Sequence, residues 1–183
     1  MIPLLLLLQT IPMTAWQYRD RLRHEVAYTW GIVEPVSTFA AQIHQESAWD
    51  PLAESPFARG LSQFTPSTED WFNQEEERLA MMGMGALDPD WAIRALVLYD
   101  RWLWERTGGV DRDNHWAFVL ARYNGGGWTR KETIESVEKF GCCPLDYWGC
   151  AKRSCLRLPA NCAQTWDYVD KILYRWRPLY EGW

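Results

Sequence analysis

Residues 45–68 read QESAWDPLAESPFARGLSQFTPST, and this stretch decides how the rest of the chain is interpreted. It begins where an amphipathic helix is expected to end. Ahead of it, Phe39 and Ile43 lie on one apolar stripe at helical spacing, and Glu46 continues that stripe. The periodicity therefore aims a carboxylate at the core or at a cleft. Carboxylates are rarely buried without a partner, so the position is unfavourable for stability alone.

Two interpretations of Glu46 follow from this pattern. Burial disfavours the charged form, so a desolvated glutamate has a raised pKa and holds a proton near neutral pH. Such a group is suited to donate its proton to a leaving oxygen. In the alternative, the helix ends at His44 or Gln45, and Glu46 is an ordinary solvated side chain. Periodicity alone leaves both interpretations open.

The residues after Glu46 resemble the catalytic core of the soluble lytic transglycosylase family, relatives of goose-type lysozyme. The resemblance consists of several motifs at fixed spacing. In order, they are Glu46-Ser47, Pro51-x-Ala53-x-Ser55, Ala58-x-Gly60-Leu61-x-Gln63 and Thr65-Pro66. The chain is also similar to short lysozyme-like proteins encoded by bacteriophages and prophages, which often consist of this domain alone.

Two later segments follow in the family's order. Residues 122–126, RYNGG, resemble Ala-Tyr-Asn-x-Gly, and residues 164–169, QTWDYV, resemble Glu-Thr-x-x-Tyr-Val. Three positions depart from the family pattern: Arg122 replaces Ala, Gln164 replaces Glu, and Ala92 replaces the Asn of an Asn-Ile pair. The Cys-containing insertion 141–161 has no counterpart in the pattern, and it either shapes substrate access or is inert.

The resemblance implies cleavage of the β-1,4 bond between N-acetylmuramic acid and N-acetylglucosamine in peptidoglycan, with no cofactor and no metal. It implies that Glu46 is the catalytic residue in both proton roles. Glu46 would protonate the glycosidic oxygen and then take the proton of the muramoyl C6 hydroxyl, which closes a 1,6-anhydro ring. A group that acts as acid and then as base needs a pKa near ambient pH, which agrees with the burial argument.

The resemblance also assigns substrate binding to Ser55, Gln63, Tyr123, Asn124 and Tyr168. Ser55 is expected to bind the substrate N-acetyl group, Gln63 to hold sugar or acetamido groups, and Tyr168 to orient Glu46. Tyr123 and Asn124 precede a triple glycine that permits close approach of a ligand. Each residue has a structural alternative: a turn at Ser55, a loop brace at Gln63, a helix stop at Asn124, and core packing at the two tyrosines.

Helix signals recur along the chain, and no long alternating strand pattern occurs. Helices are predicted at about 14–30, from 34 to the Glu46 region, from 88 to 107, from 113 to 124, and over 129–140 and 163–176. Loops are predicted at 47–66, 81–89 and 141–161. The predicted fold class is mainly α, with room for a small β-element near 50–65. The resemblance makes it a lysozyme-like, single lytic transglycosylase domain over residues 1–183.

The composition limits the classes of molecule that this protein is expected to bind. The chain has 183 residues, 19 Lys plus Arg and 24 Asp plus Glu, for a net charge of −5. An acidic balance argues against broad electrostatic binding of nucleic acid. The 13 Trp, 8 Tyr and 6 Phe are expected to be mostly core, and the rest offer platforms for sugar rings. By the family resemblance, the expected partner is the peptidoglycan glycan strand, and the protein is expected to be a monomer.

The N-terminal run 2–8 is too short to span a bilayer as a helix, so no stable membrane anchor is expected. A secretory signal is doubtful because no basic residue precedes the run, and residues 1–13 are expected to pack on the domain. Five cysteines occur after residue 141. One or two disulfides with a free thiol, or reduced buried cysteines, both fit, whereas the spacing lacks the paired knuckles of a zinc site.

Three functions remain open at this stage. The first is a lytic transglycosylase that opens the bacterial wall from the periplasmic side, delivered by phage lysis or by a virion. The second is a hydrolase of the same fold, in which Asp50 or Glu54 supplies a further carboxylate. The third is a glycan-binding or virion-structural module without turnover, which gives no reason for a carboxylate on the apolar stripe.

Overall fold

In a computed structural model, the described residues are 10–32 and 35–183. This part of the chain folds into eight α-helices around one aromatic-rich core. The helices are α1 (Ala15–Trp30), α2 (Ser37–Ser47), α3 (Pro66–Glu75), α4 (Glu77–Ala80), α5 (Pro89–Trp104), α6 (Arg112–Gly125), α7 (Trp128–Phe140) and α8 (Pro159–Asp170). After α8 the chain continues as a π-helical segment, Lys171–Trp176, and a 3₁₀ turn, Arg177–Tyr180.

The prediction of a mainly helical fold is confirmed, and two aspartates near predicted helix starts cap their helices. Asp88 caps α5 by accepting a hydrogen bond from the Trp91 amide at 2.8 Å. Asp111 caps α6 through the Asn114 amide at 2.8 Å, two residues before the predicted start. These caps satisfy backbone donors that a helix N-terminus leaves without partners.

Other predicted boundaries are wrong. Helix α2 begins at Ser37, because its first backbone bond joins the Ala40 amide to the Val36 carbonyl; Glu34 lies outside the described residues. Helix α8 begins at Pro159, inside the predicted 141–161 loop, because proline suits a first turn that needs no amide donor. Helices α3 and α4 occupy residues for which the sequence pattern predicted no element.

Helix α2 runs through the centre of the domain and then reaches the surface. Every residue from Ser37 to Ile43 is buried, and Phe39 packs edge-on against Trp116 of α6. The last turn, residues 44–47, is half-buried. Its outer side packs against the π-helical segment and the 3₁₀ turn at the C-terminal end. The carboxylate predicted on the apolar stripe therefore lies where the central helix leaves the core.

The segment 48–65 after α2 is a compact loop. The small β-element expected near 50–65 consists of two isolated antiparallel bridges, Glu54 with Arg59 and Arg59 with Phe64. Over the described residues these bridges do not extend into a strand. Gly60 has φ +76°, and a β-carbon there would lie 1.7 Å from the Ala86 carbonyl oxygen. Glycine is thus required where this loop meets the 81–88 segment.

The Cys-containing segment is held by two disulfides, Cys142–Cys150 and Cys155–Cys162, and Cys143 is a free, exposed thiol. These pairs agree with the disulfide interpretation. The segment contains a 3₁₀ turn at Ala151–Arg153 that packs on α7. Arg157 and Glu132 of α7 form a buried ion pair with a nitrogen–oxygen distance of 3.0 Å, which fixes the end of the segment.

The aromatic residues are mostly in the core, as predicted. Six are exposed: Trp16, Tyr28, Phe57, Trp128, Phe140 and Tyr174. The expectation that residues 1–13 pack on the domain lies mostly outside the described residues, although Ile11 is half-buried against the core. None of the described helices combines the length and the apolar character that crossing a membrane requires.

Candidate active site

The backbone after Glu46 fixes the position of that residue. Ala48 and Trp49 both adopt positive φ, 51° and 64°, which is uncommon outside glycine and stops α2 abruptly. The Trp49 side chain is fully buried, and its indole nitrogen donates to the Tyr180 hydroxyl at 2.7 Å. Burial of this indole over-determines the left-handed backbone, so Glu46 is held in the last turn of α2.

Ser47, the partner of Glu46 in the motif, is a structural link. Its hydroxyl is within hydrogen-bonding distance of two carbonyls, that of Ile43 at 3.2 Å and that of Leu61 at 2.9 Å. The second contact ties the 48–65 loop to the helix end. The Glu46-Ser47 motif therefore places the carboxyl next to the residue that anchors the 48–65 loop.

The Glu46 carboxyl accepts a hydrogen bond from the Tyr168 hydroxyl at 2.5 Å, across 122 residues of sequence. Burial raises the pKa of Glu46 from 4.5 to about 8, and the Tyr168 hydrogen bond opposes that shift. Glu46 is therefore protonated at neutral pH. Of the two interpretations of Glu46, the desolvated acid is the one that the structure has, since α2 extends through Ser47.

A polar groove begins at Glu46, formed by two depressions of about 330 Å³ and 310 Å³ that share Asn124 and Gln164. The first is lined by Gln45, Glu46, Asn124, Gln164, Asp167, Tyr168 and Lys171. The second adds Gly125, Trp128, Arg157, Asn161 and Thr165. Amide, hydroxyl and charged groups dominate the lining, and the exposed Trp128 ring offers one flat apolar surface.

Three predicted substrate-binding residues lie around Glu46. Tyr168 contacts its carboxyl, and Asn124 lines the groove while its side-chain oxygen accepts from Thr165 at 2.9 Å. Tyr123 donates to the Ser62 carbonyl at 2.7 Å. Burial first, and then the negative charge of Glu46, raises the pKa of Tyr123 well above its usual value.

Tyr123 does not line this groove, and neither do the other two predicted residues, Ser55 and Gln63. The Ser55 hydroxyl accepts from the Ala58 amide at 3.0 Å, and Ser55 lines a separate depression. The Gln63 amide nitrogen donates to the carbonyls of Ala53 and Gly60, both at 3.0 Å. Both side chains brace the 48–65 loop, and their substrate-binding roles stay predictions.

Several groove residues were missed by sequence reasoning. Gln45 accepts from the Trp176 indole at 2.8 Å, and Asp167 and Lys171 form an ion pair beside Glu46. A usable signal existed for Asp167 and Lys171, because they are four residues apart, the spacing at which opposite charges pair along a helix. Gln45 carried no signal, because its partner lies 131 residues away.

A family model described as the transglycosylase SLT domain matches residues 25–141, which is more than half of the chain. The chain therefore belongs to the transglycosylase SLT domain family. The match includes Glu46 and Asn124, whereas Tyr168 and the other α8 residues of the groove follow it in the sequence.

One similar protein is the membrane-bound lytic murein transglycosylase F of Erwinia tasmaniensis. It is 37% identical over 89 residues, which are 48% of this chain. The matched region is 16% of that protein, so the similarity concerns one part of a much longer relative.

Proposed function

We propose that this protein is a peptidoglycan lytic transglycosylase in which Glu46 is the single catalytic acid and base. The observation that carries the proposal is the state of Glu46. Its carboxyl is half-buried, holds a proton up to a pKa of about 8, and forms one wall of an open polar groove. Family membership and the name of the Erwinia relative support the same reaction.

The first step uses the proton that Glu46 holds at neutral pH. The proton passes to the glycosidic oxygen between N-acetylmuramic acid and N-acetylglucosamine as the C1–O bond breaks. The Tyr168 hydroxyl, 2.5 Å from the carboxyl, keeps its hydrogen bond to the resulting carboxylate. A hydrogen bond to an ionised acceptor is stronger than one to a neutral acceptor, so Tyr168 stabilises the product of this step.

The second step returns the proton. The C6 hydroxyl oxygen of the muramoyl residue bonds to C1, and Glu46 takes the hydroxyl proton. A 1,6-anhydro ring forms, and the enzyme regains its starting state. A carboxyl with a pKa close to ambient pH is suited to both transfers, because neither protonation state is strongly favoured.

The groove suits a sugar polymer. Asn124 and Gln164, at the junction of the two depressions, present amide groups of the kind that hydrogen-bond to N-acetyl and hydroxyl substituents. Trp128 in the second depression offers a face for a sugar ring. We propose that the glycan strand lies along both depressions, with the scissile bond at Glu46.

Hydrolysis on the same fold is the second candidate. It would need a further carboxylate to activate water. Of the two that the sequence offered, Asp50 accepts from the Leu52 amide at 2.9 Å, and Glu54 lines the separate Ser55 depression. Neither lines the groove, and the carboxylate that does line it, Asp167, is ion-paired with Lys171. This arrangement favours the internal C6 hydroxyl as nucleophile.

The biological setting is a finer proposal. We infer a wall-lysing enzyme of a phage or prophage that acts as a monomer on the periplasmic wall, from the resemblance to short phage-encoded proteins. A non-catalytic glycan-binding module is the competing role, and it would leave the raised pKa of Glu46 without a use.

The test is the Glu46→Gln variant on purified peptidoglycan, with products analysed by mass spectrometry. The wild type is expected to release anhydro products, each one water lighter than a hydrolytic product. The variant is expected to lose at least about 10³-fold in rate while circular dichroism is unchanged. Wild-type products with free reducing ends would establish the hydrolase. Binding without turnover by the wild type would establish the glycan-binding module.

A further inference from the structure

A second buried carboxyl lies behind Glu46 and takes no part in the proposed reaction. Asp100 of α5 has no solvent exposure, and neither has Gln42 of α2. Gln42 is one helical turn before Glu46, so both project from the same face of α2. The Gln42 amide nitrogen donates to the Asp100 Oδ1 atom at 3.4 Å, which joins the helix carrying Glu46 to α5.

Two atoms of this pair have no hydrogen-bond partner within the described residues: Gln42 Oε1 and Asp100 Oδ2. With an ionised Asp100, both atoms are acceptors and neither has a donor. A buried polar group without a partner is unfavourable, and the ionised form leaves two such groups. A protonated Asp100 changes this, since its Oδ2 hydroxyl is a donor and Gln42 Oε1 is the acceptor on the same partner.

We propose that Asp100 is kept as a neutral carboxylic acid that forms a two-bond, cyclic pair with the Gln42 side-chain amide, and that this pair positions Glu46. The pair fixes the turn of α2 that precedes Glu46. It also keeps a second negative charge away from the carboxyl that has to ionise during the reaction. This positioning role rests on the proposed function, whereas the protonation state does not.

The electrostatic surroundings agree with a neutral Asp100. Burial raises the pKa of Asp100 well above its usual value; the Gln42 hydrogen bond lowers it, and the charge of Glu46 raises it further. The titratable groups around the pair are Glu46, Tyr99 of α5, Tyr123 of α6 and Tyr168 of α8; the pKa values of these tyrosines are raised chiefly by burial. The charge of Arg122 lowers the pKa of Tyr99. Asp100 has no ion pair within the described residues.

The protonation state is tested by infrared spectroscopy in a Glu46→Gln background, which removes the other protonated carboxyl. The carbonyl stretch of a carboxylic acid is separate from the carboxylate bands. We expect an acid band at pH 7 in Glu46→Gln that is missing from Glu46→Gln/Asp100→Asn. Absence of that band from the first variant would overturn the proposal, whatever the activity of the enzyme.

The positioning role is tested by kinetics of two single variants. Asp100→Asn keeps a neutral side chain able to form both bonds, so the rate is expected within about twofold of wild type, with an unmoved pH profile. Asp100→Leu fills the space but removes the pair, and kcat per folded molecule is expected to fall about tenfold because Glu46 is less well held. A pH profile displaced downward by about one unit in Asp100→Asn would mean that Asp100 is an anion, and would overturn the proposal. An unchanged kcat in Asp100→Leu would contradict the positioning role.

The outcomes separate this inference from the proposed function. Retained activity in Glu46→Gln would remove the reaction assigned to Glu46 and leave the infrared result for Asp100 intact. A missing acid band together with a fully inactive Glu46→Gln would overturn the proposal for Asp100 and leave the reaction assigned to Glu46 intact. If Asp100→Leu does not fold, the comparison of Asp100→Asn with wild type still decides the charge of Asp100.

Discussion

Two glutamates of this protein lie in opposite surroundings. Glu25 of α1 is completely buried and is surrounded by Arg21, Arg78 and Arg94, with the Arg94 guanidinium 2.8 Å from its carboxylate. Glu46 of α2 is half-buried, has no ion pair among the described residues, and accepts one hydrogen bond from a tyrosine.

The pKa values of the two glutamates move in opposite directions. Burial raises the pKa of both. At Glu25 the Arg94 hydrogen bond and the three guanidinium charges outweigh burial, so its pKa is lowered. At Glu46 no cation opposes burial, and the pKa rises to about 8. Burial alone therefore does not make a carboxylate an acid catalyst; what matters is whether a counter-charge is buried with it.

The largest effect on stability is expected from Glu25→Gln. The variant leaves three partly buried guanidinium groups without their counter-charge, which should reduce the free energy of unfolding by about 3 kcal/mol at pH 7. Because the folded pKa of Glu25 is lowered, its contribution is present above the unfolded value of 4.5 and is lost as the pH falls through the folded pKa. Urea unfolding at pH 7 and pH 3 checks this, and the two proteins should converge in acid.

Glu46→Gln should increase the free energy of unfolding, whereas Glu25→Gln should reduce it. Between the unfolded pKa of 4.5 and the folded pKa of about 8, the unfolded chain releases a proton that the folded protein keeps. Wild-type stability therefore falls as the pH rises through this window, and the neutral variant avoids the loss. Since water reaches this half-buried site, we expect the variant to be about 2 kcal/mol more stable at pH 8, less than the full shift implies.

Unfolding curves at pH 4 and pH 8 measure that difference. Wild type and Glu46→Gln should be equally stable at pH 4, where Glu46 is protonated in both states of the wild type. A constant gap at both pH values would contradict the raised pKa of Glu46.

Tyr168→Phe sharpens the comparison by removing the one group that opposes burial at Glu46. The Tyr168 hydrogen bond lowers the pKa of Glu46, so the variant should raise this pKa further. The limb of the pH–rate profile that reports loss of the Glu46 proton should move upward, and kcat should fall because the carboxylate is less stabilised. An upper limb in its wild-type position would show that Tyr168 only packs.

The smallest effect is expected at an exposed ion pair. Arg101 of α5 and Glu105, the residue that follows this helix, are joined at 2.8 Å, with both side chains well exposed. Exposed pairs contribute about 0.5 kcal/mol or less, so Glu105→Gln should change the free energy of unfolding within that range at pH 7. Thermal unfolding of Glu105→Gln and of Glu25→Gln under the same conditions measures how far the contribution of an ion pair depends on its burial. A loss comparable to that of Glu25→Gln would break the comparison.

The sequence predicted the helical position and the raised pKa of Glu46 because the signal is local, while its catalytic role stays a prediction. A carboxylate three residues after Ile43 on an apolar stripe belongs either to a solvated helix end or to a built site, and the motif after it favoured the site. The helix caps at Asp88 and Asp111 are local in the same sense, and the starts of their helices were predicted within two residues. The boundaries were less accurate at α2 and α8, and α3 and α4 were not predicted at all.

The surroundings of Glu46 could not be predicted in the same way. Ser55 and Gln63 belong to the right motif, but their side chains turn into the loop to satisfy backbone groups that a short irregular segment leaves unpaired. The Gln42–Asp100 pair joins two helices 58 residues apart in sequence, and each residue alone reads as an ordinary polar position. Such pairs depend on how helices cross, which periodicity does not report.

The π-helical segment and the 3₁₀ turn at the C-terminal end have a consequence for the timing of synthesis. Trp176 and Tyr180 hold Gln45 and His44 through hydrogen bonds of 2.8 Å each, across 131 and 136 residues. A ribosome completes α2 long before it makes these partners. The groove therefore assumes its final shape only after residue 180 has left the exit tunnel, and a shorter nascent fragment carries an incomplete groove.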